Sequence, residues 1–188
     1  MRRVRNRNAA AAGRVMMLEI RRLVPGEENL YRKVHLDSLR TFPDHFGTLF
    51  EDQCLVERLP FEDFIQNASE DNFLHGAFSG KTLAGIAGFR RESRPKTRHR
   101  GEIVQMFVSP AIQGKGVGEK LLRSVIDAAF SLPGLESVEL SAVAENEAAR
   151  KLYERVGFKT YGIRSCYFKH GERYWNQRFM ELHRAEYS

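Results

Sequence analysis

One stretch restricts the fold of this chain more than any other: "EIVQMFVSPAIQGKGVGEKLLRSVIDAAF", residues 102–130. A strand-like run (102–108) stops at Ser109-Pro110 and passes through a glycine-rich turn. It re-emerges as a helix with Leu121, Leu122, Val125, Ile126 and Ala129 on one face. A second strand (136–143) and a second helix (147–156), which Gly157 can terminate, follow at once. Strand–helix–strand–helix at this spacing requires a sheet with helices packed on it.

The flanking chain fits that frame. Residues 18–23 alternate as a strand, 25–42 carry helical spacing, and 60–68 read as a short helix opening on its proline. Residues 72–93 read as two strands joined at Ser79-Gly80-Lys81, and 158–168 and 173–182 as two final strands. The stretch between the first two helices, "TFPDHFGTLFED" (41–52), reads as a loop. The expected class is α/β (α+β): a mixed, largely antiparallel sheet of six to seven strands flanked by helices.

The glycine turn is not a Walker loop, since the residues after Gly-Lys are wrong. It also lacks the pattern and downstream acid of a dinucleotide fingerprint. Glycines there permit positive φ and close approach of a ligand to the backbone. The helix that follows aims unpaired N–H groups and its positive dipole end at the same place. Such a turn suits a phosphate or pyrophosphate. A glycine-rich turn that binds nothing is the plain alternative.

Two blocks together carry a family resemblance. "VSPAIQGKGVGEKLL" (108–122) resembles the acyl-CoA-binding signature of the GNAT superfamily of N-acetyltransferases, through Gln113, Gly116 and Gly118. "AENEAARKLYERVGF" (144–158) is similar to the superfamily's next segment, in the expected order. The resemblance covers roughly residues 17–183, and it implies one domain over 17–188.

The resemblance implies a sheet splayed between its fourth strand (102–108) and fifth strand (136–143). Acetyl-CoA, as co-substrate, would lie along the fourth strand and pair with backbone near Met106, Phe107 and Val108. A bulge there often aims an N–H at the thioester oxygen. The pyrophosphate would rest on Gly114, Lys115, Gly116, Val117 and Gly118, next to Gln113. Lys115, Lys120 and Arg123 would add charge at the outer end, or be simply solvated. Asn146 would hold the pantetheine amide, though it is equally a good N-cap. Tyr153 would assist the departing thiolate, or else be a packed tyrosine of the Ala149/Val156 stripe. Glu102 matches the catalytic Glu of the histone-acetylating members. It could equally be a solvated strand-end Glu paired with Arg100, with His99 or water as the base. Phe42, His45 and Phe46, with Asp44, would line the acceptor pocket, or equally belong to a plain Pro-containing loop. The implied reaction is direct acetyl transfer to a primary amine of a small molecule or protein, with no acyl-enzyme. A non-catalytic acyl-CoA-binding module is the alternative.

Composition narrows the rest. The net charge is +6, yet residues 1–16 hold five arginines and no acid, leaving 25 basic against 24 acidic residues elsewhere. The basic extension 1–16 is therefore expected to be solvated and without specific function. Nucleic acid is not an expected partner, because the basic run 90–100 lacks interleaved aromatics. No apolar run reaches the ~20 residues a membrane span needs, and the start lacks a secretory core. Cys54 and Cys166 stand far apart with no CxxC partner, so no metal site is expected and a reducing cytoplasm is the default. A monomer or a homodimer is compatible with all of this.

Overall fold

The structure, a computed structural model, describes residues 18–187. The basic extension 1–16 lies outside the described residues. The elements run β1 (Leu18–Arg22), α1 (Glu28–Thr41), α2 (Phe50–Cys54), α3 (Pro60–Gln66), β2 (Asn72–Ser79), β3 (Thr82–Arg91) and β4 (Arg100–Val108). They continue with α4 (Val117–Phe130), β5 (Ser137–Val143), α5 (Glu147–Val156), β6 (Lys159–His170) and β7 (Arg173–His183). Seven strands form one sheet in the order β1-β2-β3-β4-β5-β7-β6. All neighbours are antiparallel except β4 and β5, which are joined by the crossover helix α4 and run parallel.

Two apolar clusters flank the sheet. The larger packs the stripe of α4 (Leu121, Leu122, Val125, Ile126) and Tyr153 and Val156 of α5 against Ile103, Val138, Leu140 and Met180. The other packs Tyr31 and Val34 of α1 and Phe61 and Ile65 of α3 against Leu74, Ile86 and Phe107. Removing these side chains from water drives the assembly, at roughly 1.5–3 kcal/mol for each large one. Among the described residues no helix is long and apolar enough to cross a membrane.

The stretch read as a loop at 41–52 holds more structure than its sequence shows. A 3₁₀ turn spans Pro43–His45, with the proline setting its first φ, and α2 follows at Phe50. A helix of five residues is too short to display a helical period. The sheet also splays where it was expected to. Pairing between β4 and β5 stops at Ile103↔Leu140, although β4 continues to Val108 and β5 to Val143.

Candidate active site

A β-bulge marks the point of separation. Ile86 pairs with Phe107 but Gly88 with Val104, so Gln105 and Met106 together oppose Ala87. Gln105 takes up the extra residue with φ 57°, a left-handed conformation rare outside glycine. Beyond Ile103 the β5-facing backbone of β4 has no β5 partner. A cleft of about 570 Å³ opens along it.

The glycine turn closes one end of this cleft. Gly114 (φ 77°) and Gly116 (φ 71°, the N-cap of α4) are left-handed, and a Cβ on either would meet nothing within 4 Å. Glycine is needed there for its backbone conformation, and the space above the turn is free for a ligand. Gln113 braces the turn, donating from Nε2 to the Val108 carbonyl at 2.7 Å. Gly118 has ordinary φ, and a Cβ there would sit 3.5 Å from Leu152 Cδ2, where α4 passes α5. Glu119 accepts from Arg123 at 3.2 Å and from Arg155 of α5 at 3.4 Å, tying the two helices. Two guanidinium groups on one carboxylate leave this end positive, which suits an anion.

Helix α5 forms the opposite wall. Asn146 caps it, its Oδ1 accepting from the Ala149 N–H at 3.0 Å, while the residue also lines the cleft. Tyr153 lines the same wall at 6% exposure, its ring edge-on to Phe158. Burial pushes its phenol up to about 12, so the hydroxyl keeps its proton at neutral pH.

The far end is covered by the segment after α1. Phe42, His45 and Phe46 all line the cleft. His45 stacks on Phe42 (5.2 Å between centroids, 7° between planes), and Phe42 packs at 6.2 Å on Phe107 of β4. Asp44 accepts from Arg173 of β7 at 2.8 Å, and a Cβ on Gly47 would collide with the Phe168 ring of β6. The segment is thus clamped to the β6–β7 hairpin.

Of the residues singled out from sequence, Phe42, His45, Phe46, Met106, Phe107, Val108, Gln113, Gly114, Gly116, Val117, Gly118, Asn146 and Tyr153 line this one cleft. Lys115, Glu102 and His99 are not among its lining residues. Glu102 accepts from Arg90 at 2.7 Å, because the two face each other in the β3/β4 register. Arg100, its expected partner, reaches Glu139 of β5 instead. Sequence reasoning passed over Gln105, Ser141 and Arg155, which also line the cleft. Only Arg155 had a legible signal, two residues after Tyr153 in a matched block.

The model of the acetyltransferase (GNAT) family matches residues 28–158. The N-alpha-acetyltransferase RimI of Mycobacterium tuberculosis is 41% identical over 103 residues, 54% of this chain and 61% of that protein. A mycothiol acetyltransferase of Renibacterium salmoninarum is 34% identical over 154 residues, 80% of this chain and 43% of that protein. The matched segments thus span less than two thirds of these curated relatives. An acetyltransferase of the GNAT family from Streptococcus pneumoniae superposes with a TM-score of 0.78 at 24% identity, covering 89% of this chain and 99% of that one. yncA of Salmonella typhimurium, solved with its cofactor acetyl-CoA, gives 0.73 at 21% identity, covering 92% and 96%. With the family model spanning both glycine turn and Tyr153 helix, the chain belongs to the acetyltransferase (GNAT) family.

Proposed function

We propose that this chain transfers the acetyl group of acetyl-CoA to a primary amine of a small molecule or protein by direct attack. One observation carries the reading: the glycine turn, the unpaired edge of β4 and Tyr153 all line a single cleft. Acetyl-CoA supplies the activated acetyl group. Gly114 to Gly118 and the N-terminus of α4 would hold its pyrophosphate, the edge of β4 from Met106 to Val108 its pantetheine arm, and Asn146 the adjoining amide. Family membership and the fold shared with yncA, solved with acetyl-CoA, support these roles.

Tyr153 would steady the departing thiolate by hydrogen bonding rather than by giving up its proton. Passing a proton from a phenol near 12 to an ordinary thiolate near 8.5 is uphill by about 5 kcal/mol. A hydrogen bond costs no such transfer and strengthens as charge develops. Neither cysteine lines the cleft, which favours direct transfer over an acyl-cysteine. Their free, exposed thiols fit a reducing cytoplasm, where we place the protein.

The test is coenzyme A release from acetyl-CoA in the presence of diamines, aralkylamines and peptides with a free α-amine, with mass spectrometry of the product. An acetylated amine supports the reading. Tight acetyl-CoA binding without turnover on any of them identifies a binding module instead.

A further inference from the structure

We propose that His45 is the base that takes the proton from the attacking amine, an assignment that rests on the transferase reading above. An amine attacking a thioester becomes positively charged at nitrogen and must lose a proton. A base for that proton has to reach the acceptor end of the cleft.

The charged and titratable side chains around that space are few. Glu119 and Arg155 line the cleft at its glycine end, and that carboxylate is held by Arg123 and Arg155. Tyr153 on α5 keeps its proton. Asp44 is turned outward to Arg173, and Arg40 in the last turn of α1 lies over Phe50. Glu102 is outside the lining and engaged by Arg90. His45 remains, and an imidazole can accept a proton at a ring nitrogen while its ring stays stacked in place.

His45 is also held in place. Its ring face is spent on Phe42, which leaves both ring nitrogens at the edge, and neither is hydrogen-bonded to another described residue. The stack Phe107–Phe42–His45 indexes the imidazole to β4, the strand proposed to carry the acetyl donor. The Asp44–Arg173 clamp, with Arg173 lying 4.7 Å over Trp175, and the Gly47–Phe168 contact fix the segment from the other side. Preorganisation of this kind is what a general base requires.

The step balances without a further reagent. The amine nitrogen forms a bond to the thioester carbon and the carbon–sulfur bond breaks. The amine proton passes to a ring nitrogen of His45, and coenzyme A leaves as thiolate within reach of the Tyr153 hydroxyl. The imidazolium returns its proton to water, and the thiolate takes one from water.

The experiment is a pH–rate profile of the full chain and of His45→Gln, with any amine of the panel above that is turned over. His45→Gln is expected to lower kcat about 10²-fold at pH 7 and to regain rate as alkaline pH deprotonates the amine, so that the rise of its profile is displaced to the alkaline side of wild type. Added imidazole should restore part of the rate of His45→Ala, which mere packing would not allow. A His45→Gln profile of wild-type height and shape, or a change confined to the acceptor KM, overturns the assignment. Acetyl-CoA binding by the wild-type chain with no amine turned over would sink the transferase reading itself, and this assignment with it.

Discussion

Asp44 and Arg173 meet at 2.8 Å across a sequence separation of 129 residues, joining the cover of the cleft to the β6–β7 hairpin. Their side chains are 50% and 65% exposed, so the pair should contribute less than about 1 kcal/mol to stability. Its expected value is positional. Asp44→Asn should raise the acceptor KM several-fold, leave acetyl-CoA affinity intact and move the melting temperature little. Raising the salt should weaken acceptor binding by wild type in the same direction, since an exposed pair is screened. Equal loss of acetyl-CoA affinity would show that the clamp shapes the whole cleft instead.

Gly116→Asp combines two faults. The left-handed φ of 71° is costly for a residue with a Cβ, and a carboxylate would face the proposed pyrophosphate. Calorimetry should find acetyl-CoA binding abolished while circular dichroism stays native. Gly118→Ala makes the contrast: its Cβ would meet Leu152 at an ordinary 3.5 Å, so the free protein should tolerate it.

Tyr153→Phe removes a hydroxyl and keeps the ring against Phe158. The rate should fall while acetyl-CoA affinity and melting temperature stay nearly constant, as for a contact made mainly in the transition state. A fall in melting temperature with unchanged turnover per folded molecule would make Tyr153 a packing residue.

His75 sets an acid limit on stability. It is 8% exposed, with Nδ1 2.8 Å from Ser124 Oγ, and burial, followed by the charge of Arg22, pushes it down from 6.5 to about 4. Between those values the unfolded chain binds a proton that the native one does not. Stability should therefore be full above about 6.5 and decline by up to about 3 kcal/mol as pH falls to 4. His35, lowered chiefly by burial, adds to the slope. Melting curves of wild type and His75→Gln over this range should differ in slope, the variant being flatter. Parallel curves would remove His75 from the account.

The parts of the site that sequence displays are local. Gly114 and Gly116 announce left-handed positions by residue type, α4 shows its buried stripe, and Asn146 and Tyr153 fall two turns apart on one helix. Gln105 shows nothing, because a bulge can place almost any residue there and only tertiary context imposes φ 57°. The partner of Glu102 depended on strand register, which composition does not set. What clamps the cover over the cleft was least visible: Gly47 against Phe168 and Asp44 against Arg173 are contacts between distant segments, with no periodicity to reveal them.

The most direct test of the central claim is coenzyme A release by the wild-type chain from acetyl-CoA, measured with and without each amine of the panel. Amine-dependent release, with one acetyl group gained per coenzyme A freed and no acetylated protein trapped on quenching, is the predicted result. Release independent of amine, an acetyl group trapped on the chain, or binding without release would contradict direct transfer to an amine.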